Sequence, residues 1–420
     1  MVSEAQIGSK FKKTDIGSIP EDWNLKPVIE FADVTSGGTP STNKTEYWDG
    51  DIAWMNSGEL NLKRVYEVEG RITELGLNNS ATKLIPKYCV LIGLAGQGKT
   101  RGTVAMNYIP LCTNQSIAAI HPNKEALSEY LYQNLENRYK ELRTLSTGDG
   151  GRGGLNLTLI KNLLIPLPPN KEEQTAIAIA LNDTDKLISQ LEKLIVKKQM
   201  IKQGAVGELL TGKKRLNGFK DSWIKKPFSE VSWFQEGPGL RNWQFTNSGM
   251  KVINVTNLED GFLYLESTDR HISYELFNKM YRHFAIDVND IVVASSGNSY
   301  AKVAVVRKRD LPLVMNTSVI RFKPMKGLQY EFLLAFLKSN LFKDQIDLLI
   351  TGGAQPNFGP YHLNKIFIEL PPTLEEQSVI GNILMDIDSE LLTLKTKLEK
   401  YKQLKQGMMQ NLLTGKIRLV

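Results

Sequence analysis

PPNKEEQTAIAIALNDTD at residues 168–185 returns as PPTLEEQSVIGNILMDID at 371–388, and KQGAVGELLTGKKRL at 202–216 returns as KQGMMQNLLTGKIRL at 405–419. Between Pro168 and Leu216 and their counterparts, roughly 20 of about 50 positions are identical. They include Glu172/Glu375, Glu173/Glu376, Gln174/Gln377, Asp183/Asp386, Asp185/Asp388 and Gly204/Gly407. Two copies are too few for a solenoid. They suit a pseudo-dimer built from one chain, each half about 200 residues long.

Each copy reads as a long amphipathic helix. In the second, Ile380, Leu384, Ile387, Leu391, Leu394, Leu398 and Tyr401 step by four and three, which places one apolar seam on one helix face. The first copy keeps the register with Ile177, Leu181, Ile188, Leu191 and Ile195, interrupted at Thr184 and Lys198. Each helix should begin after Pro-Pro, with Asn170 and Glu173, or Thr373 and Glu376, as a capping box. Each should end at Gly212 or Gly415 in a left-handed cap, beside Lys213 or Lys416 at the negative end of the helix dipole. A helix of about 40 residues is roughly 60 Å long, and a common register in both copies predicts that the two pack on each other.

Before each helix lies a segment of roughly 160 residues whose short β-branched and aromatic runs alternate with Gly-rich turns, the pattern of a mainly β domain. The two segments correspond in outline. Trp23 and Trp223 open them, and the loops 36–40 and 237–240 come after. Next are the strand–loop–strand stretches Val90 to Ala105 and Ile291 to Val305, then Thr113–Ser116 and Asn316–Ser318. Helix-like stretches occupy 125–142 and 329–349, before the Gly-rich loops 147–154 and 351–359. Helices that repeat closely beside domains that repeat only in outline suggest one common task for the helices and two different targets for the domains.

Composition narrows the function. The 420 residues are 41% hydrophobic, enough for more than one core, and the net charge of +7 with a pI near 9.0 suits an acidic partner such as duplex nucleic acid. Cys89 and Cys112 make no disulfide framework, and no signal-peptide core or apolar run of about 18 residues is present, so a cytoplasmic location without a membrane is expected. His121, His271, His283 and His362 have no metal-ligand spacing.

Gly93-Leu94-Ala95-Gly96-Gln97-Gly98-Lys99-Thr100 satisfies the phosphate-binding loop pattern G-x-x-x-x-G-K-[ST]. A phosphate site needs a helix starting at the lysine, so that its free amides and dipole face the anion. The next residues, Arg101-Gly102-Thr103-Val104-Ala105, read instead as a turn into a second strand, and the second half has Ser295–Lys302 with the motif gone. The preferred reading is a hairpin, with a nucleotide-binding enzyme and a coiled-coil protein scaffold as alternatives. No methyltransferase tetrapeptide and no nucleophile elbow occur, and the Glu-Glu-Gln triplets read as dipole-complementing residues of a capped first turn.

Two variable β-rich segments, each closed by Leu-Pro-Pro, then Glu-Glu-Gln, a long helix and Leu-Leu-Thr-Gly-Lys, resemble the specificity subunits of type I restriction–modification systems over nearly the whole chain. The resemblance implies an α+β fold with pseudo-twofold symmetry. Target-recognition domains at 1–167 and 216–370 would be separated by antiparallel coiled-coil spacer helices at 168–215 and 371–420. It implies a non-catalytic chain that reads a bipartite, double-stranded DNA site. Two methyltransferase subunits would dock on it, with restriction subunits in the full complex, and S-adenosylmethionine, ATP and Mg would reside in those partners. Candidate DNA contacts are Lys99, Arg101 and Arg152 in the first domain and Arg241, Asn298, Lys302 and Gln355 in the second. Arginine and lysine suit guanine, asparagine and glutamine suit adenine, and small neighbours permit close approach.

Overall fold

A computed structural model describes residues 10–96, 100–145, 154–259, 261–350 and 356–419, without the side chain of Asn298. The chain folds as two compact units, Met1–Glu192 with Lys397–Val420, and Lys193–Thr396. Each unit holds one β-rich domain, the start of one long helix and the end of the other.

The elements that position the site are, in chain order, β1 (Ala32–Ser36), β2 (Arg64–Val65), β3 (Val90–Gly93), β4 (Val104–Asn107), β5 (Ile117–Pro122), α1 (Ser128–Asn137) and α2 (Lys171–Leu209). Their successors are β6 (Ser232–Glu236), β7 (Ile291–Ala294), β8 (Val303–Val305), β9 (Val319–Pro324), α3 (Tyr330–Leu337) and α4 (Leu374–Leu412). The first sheet runs β1-β5-β3-β4-β2, antiparallel except for β2 beside β4, and the second runs β6-β9-β7-β8, all antiparallel. A smaller sheet in each domain carries Trp48–Met55 or its counterparts Phe245–Thr246 and Met250–Ile253.

The central strands β3 and β7 are buried on both faces, which is why they read as unbroken apolar runs rather than alternating ones. Successive side chains still point to opposite sides. Val90 and Ile92 join the core under α1 while Leu91 joins the core on the other face, and Ile291 and Val293 divide from Val292 and Ala294 in the same way. A two-stranded ribbon closes each domain by pairing its first and last segments, Asn24–Pro27 with Leu164–Leu167 and Ile224–Pro227 with Phe367–Leu370.

Both long helices form with 39 residues each. They end as the glycines dictate. Gly212 and Gly415 have φ of 65° and 69°, and the amides of Lys214 and Ile417 return to the carbonyls of Glu208 and Asn411, each at 3.2 Å. Within the first unit the start of α2 lies antiparallel to the end of α4, joined by Asp185–Lys405 at 2.6 Å and Glu192–Lys402 at 3.0 Å. Within the second unit the end of α2 meets the start of α4 through Lys202–Asp388 at 2.6 Å and Lys198–Glu390 at 2.7 Å.

Of the seam residues, Ile177, Leu181, Leu191, Ile195, Ile380, Leu384, Leu391 and Leu398 are buried, and Ile188, Ile387, Leu394 and Tyr401 are partly buried. The seam is only partly a helix-to-helix contact. Ile177 and Leu181 belong to the first domain's core together with Met409, Leu412 and Leu413, and Ile380 and Leu384 join the second domain's core with Leu209 and Leu210. The two interruptions are also resolved locally. Buried Thr184 donates its hydroxyl to Ala180 one turn back, and Lys198 extends out to Glu390. Among the described residues no helix is long and apolar enough to cross a membrane, and no group of three or more His, Cys, Asp or Glu could hold a metal ion. Cys89 and Cys112 are buried free thiols, and burial pushes Cys89 up to about 12.

Candidate nucleic-acid interface

Four loops meet at one end of each sheet. In the first domain the Gly38 amide donates to the Thr113 carbonyl at 2.9 Å, Thr39 donates to the Gln115 side chain at 2.6 Å, and Leu94 joins Ser116 at 2.8 Å and Leu155 at 2.9 Å. In the second, Ser295 joins Ser318 at 2.9 Å and Phe358 at 3.0 Å, Gly297 joins Pro356 at 3.2 Å, and Thr317 donates to Glu236 at 3.3 Å. The approach is tight enough to require glycine. A Cβ on Gly37 would lie 1.8 Å from the Thr113 carbonyl oxygen, and one on Gly237 would lie 2.1 Å from that of Asn316.

The segment after the phosphate-loop pattern is a turn at Thr100–Gly102 leading into β4, antiparallel to β3. The Gly93 amide donates to Thr103 and the Gly102 amide to Gly93, as those of Ala294 and Ala301 pair with Lys302 and Ala294 in the second domain. Among its described residues this hairpin has no helix N-terminus to hold a phosphate, so its chemistry is that of a charged loop.

Arg101 is half-buried in the first hairpin, and Lys302 is exposed in the second. Arg241 is exposed at the start of a one-turn helix, Asn242–Gln244, beyond the Gly237 loop. Lys99, Arg152, Gln355 and the side chain of Asn298 lie outside the described residues. The structure therefore brings together the hairpin that contains Arg101 and the segment beginning at Gly154, and the hairpin that contains Lys302 and the segment beginning at Pro356.

Sequence reasoning passed over Glu236 and Trp243. Trp243 is 80% exposed on the turn whose Gln244 is fixed to Tyr281 at 2.7 Å, while the matching turn in the first domain, Thr45–Tyr47, exposes Glu46. A large exposed aromatic beside Arg241 was the available signal, masked because the stretch reads locally as an ordinary polar turn.

The Glu-Glu-Gln triplets stand in the capped first turns, as expected, but the second glutamate of each does more than complement the helix dipole. Asn170 and Thr373 do cap the helices, accepting from the amides of Glu173 at 2.9 Å and Glu376 at 3.4 Å. The carboxylates, however, are occupied elsewhere. Buried Glu173 accepts from Nε and Nη2 of Arg418 and from the Trp23 indole, and buried Glu376 accepts from Nε and Nη2 of Arg215 at 2.9 and 3.0 Å. Arg418 also grips Asp22 at 2.9 and 3.0 Å, which together with Glu173 raises its pKa further and holds the Asp22 carboxyl below its usual range. Gln174 and Gln377, both buried, accept from the amides of Leu127 and Gln329 and donate to Pro168 and Pro371. Each triplet thus anchors a helix start, a domain and the end of the other helix.

A family model for the type I restriction modification DNA specificity domain matches residues 20–203 and again 220–406. The chain is 25% identical to the MjaVIII specificity subunit of Methanocaldococcus jannaschii over 426 residues, 97% of this chain and 96% of that one. It is 26% identical to the MjaIX specificity subunit of the same organism, covering 98% and 97%. Against the EcoR124I/EcoR124II specificity subunit of Escherichia coli it is 28% identical over 213 residues, half of each chain. The structure of a type I restriction-modification S subunit from M. genitalium has the same fold, with a TM-score of 0.64 at 18% identity over 96% of this chain and 98% of that one. Twofold matching of the domain model along a chain that repeats its own loops, clamps and helices leads to one conclusion: this protein belongs to the type I restriction–modification DNA specificity subunits.

Proposed function

We propose that each β-rich domain reads one half of an asymmetric bipartite DNA site, and that the two long helices set the spacer and dock two methyltransferase subunits. Membership in the family makes the chain a DNA specificity subunit with two target-recognition domains, part of a type I complex and not itself its catalyst. The methyl donor and ATP then belong to the modification and restriction subunits, which act on DNA in the cytoplasm. The functional divisions run along the chain as recognition at 1–167 and 216–370 and spacing at 168–215 and 371–420.

The observation that supports this reading most is the recurrence of four bonded loops at the same end of both sheets. Glycine-bearing loops with cationic side chains suit backbone positioning and base-edge contact. Their sequences differ between the domains, as they must if the half-sites differ.

The test is methylation-motif mapping in cells carrying this chain with its methyltransferase, before and after insertion of one heptad into both helices. Seven residues return the seam almost to its starting side and add roughly 10 Å. At about 3.4 Å per base pair along one strand, the spacer should lengthen by about three base pairs while both half-sites persist. An unchanged spacer in an assembled complex would overturn the ruler, and a motif without two halves would overturn the reading as a whole.

A further inference from the structure

From the geometry of the loop end we infer that Glu236 is a specificity-determining residue of the second domain, accepting a hydrogen bond from the exocyclic amino group of a cytosine or adenine in the major groove. This rests on the reading of the four-loop end as the DNA-facing end.

Glu236 is the last residue of β6 and stands where the loops 237–240, 295–302, 316–318 and 356–359 converge. Its Oε1 accepts from the Thr317 hydroxyl at 3.3 Å, and it forms no ion pair among the described residues. Gly359 has no side chain to cover the other oxygen, since a Cβ there would lie 3.4 Å from Oε2. A Cβ at Gly239 or Gly297 would meet nothing within 4 Å, so open space lies beside both positions.

A carboxylate without a cation is unfavourable on a face that docks against phosphates, unless the DNA itself offers a donor. In the major groove the donors are the N4 amino group of cytosine and the N6 amino group of adenine, and carboxylates pair with the former. Thr317 fixes the side chain from one side and leaves lone pairs for that donor. Burial raises the Glu236 carboxyl, with the Thr317 bond partly opposing it. Strand register places Ser36 at the matching position of the first domain, opposite Ala118 as Glu236 is opposite Ile320. The first half-site therefore has no equivalent contact.

The experiment uses the assembled methyltransferase and begins with mapping its wild-type motif. Glu236→Ala should relax one cytosine or adenine position of the second half-site and leave the first half-site unchanged. Binding is then measured on duplexes in which each candidate base is replaced by an analogue lacking only the amino group, 2-pyrimidinone for cytosine or purine for adenine. The responding analogue identifies the base. The wild type should lose about 5- to 150-fold in affinity on it, and Glu236→Ala should lose nothing more. Glu236→Gln, nearly isosteric, serves where Ala fails to fold and should admit at the same position a base presenting a carbonyl. An unaltered second half-site in both variants, or an equal loss on the analogue with and without Glu236, overturns the assignment. Loss of both half-sites together would instead count against the domain-by-domain reading.

Discussion

The two domain–helix joints share one topology and an apolar contact but differ in the polar network laid over it. In the first unit an extensive polar network joins α1 to α2 beside Leu131, Ile177 and Leu181. Arg64 donates to Glu129 at 2.6 Å, Tyr108 at 2.8 Å and Asn182 at 2.7 Å, lies over the Tyr132 ring at 3.9 Å, and Gln133 bridges Asn182 and Asp185 at 2.8 Å each. In the second unit α3 meets α4 through Phe332, Leu333, Leu334, Ala335 and Phe336 against Ile380, Leu384 and Met385, leaving a cavity of only about 10 Å³. Position 381 is glycine where the first helix has buried Ala178, because a Cβ there would come within 2.5 Å of the Glu331 backbone. By contrast, the Gln anchors repeat the same bonds, and in both clamps arginine Nε and Nη2 grip the two oxygens of one glutamate. Constancy falls on the anchors that fasten helix ends to domains, and variation on the packing that any satisfied surface can supply.

The clamps offer the largest test of this equivalence. Arg215→Ala strands the buried Glu376 carboxylate and should cost about 3–5 kcal/mol in chemical denaturation. Arg418→Ala should cost less, because the Trp23 indole at 3.3 Å still donates to Glu173, whereas the Trp223 indole N–H finds no acceptor among the described residues. Equal losses would mean that the indole contributes nothing and that the clamps are alike.

The joints come next. Gly381→Ala should destabilise by about 1–3 kcal/mol through overpacking against α3, while Ala178→Gly should cost only about 0.5–1 kcal/mol through backbone entropy. Arg64→Met should cost about 1–3 kcal/mol by leaving Glu129 and Asn182 short of a donor. A near-neutral result there would show the first joint to be as tolerant as the apolar one.

The smallest expected effect is electrostatic. Burial alone would raise the Asp388 carboxyl, but Lys338 and Lys202 reverse this and hold it below the ordinary 3.8. A folded value below the unfolded one gives stability that is full above about pH 4 and lost as pH falls through the folded value. Asp388→Asn should therefore weaken the protein by under about 1 kcal/mol at pH 6, with the difference closing toward pH 3. A gap that persists at low pH would assign the loss to packing instead.

Much of this molecule was legible in the linear sequence. Heptad spacing, Pro-Pro starts and glycine stops fixed both helices, because those signals act within one or two turns. Arg101-Gly102-Thr103-Val104 favoured a hairpin over a phosphate loop for the same local reason. The clamp was not legible: Glu173 and Arg418 stand 245 residues apart, and Glu376 and Arg215 161 apart, so no period connects them. Nor did the heptads tell that Ile177, Leu181, Ile380 and Leu384 would face a domain as much as a helix. Local patterning decides which face is apolar, but only the closed chain decides what covers it, since burial is non-directional and is satisfied by whichever surface topology brings near. Glu236 shows the same division. Its place among four loops, bonded to Thr317 and unpaired with any cation among the described residues, exists only in the folded protein.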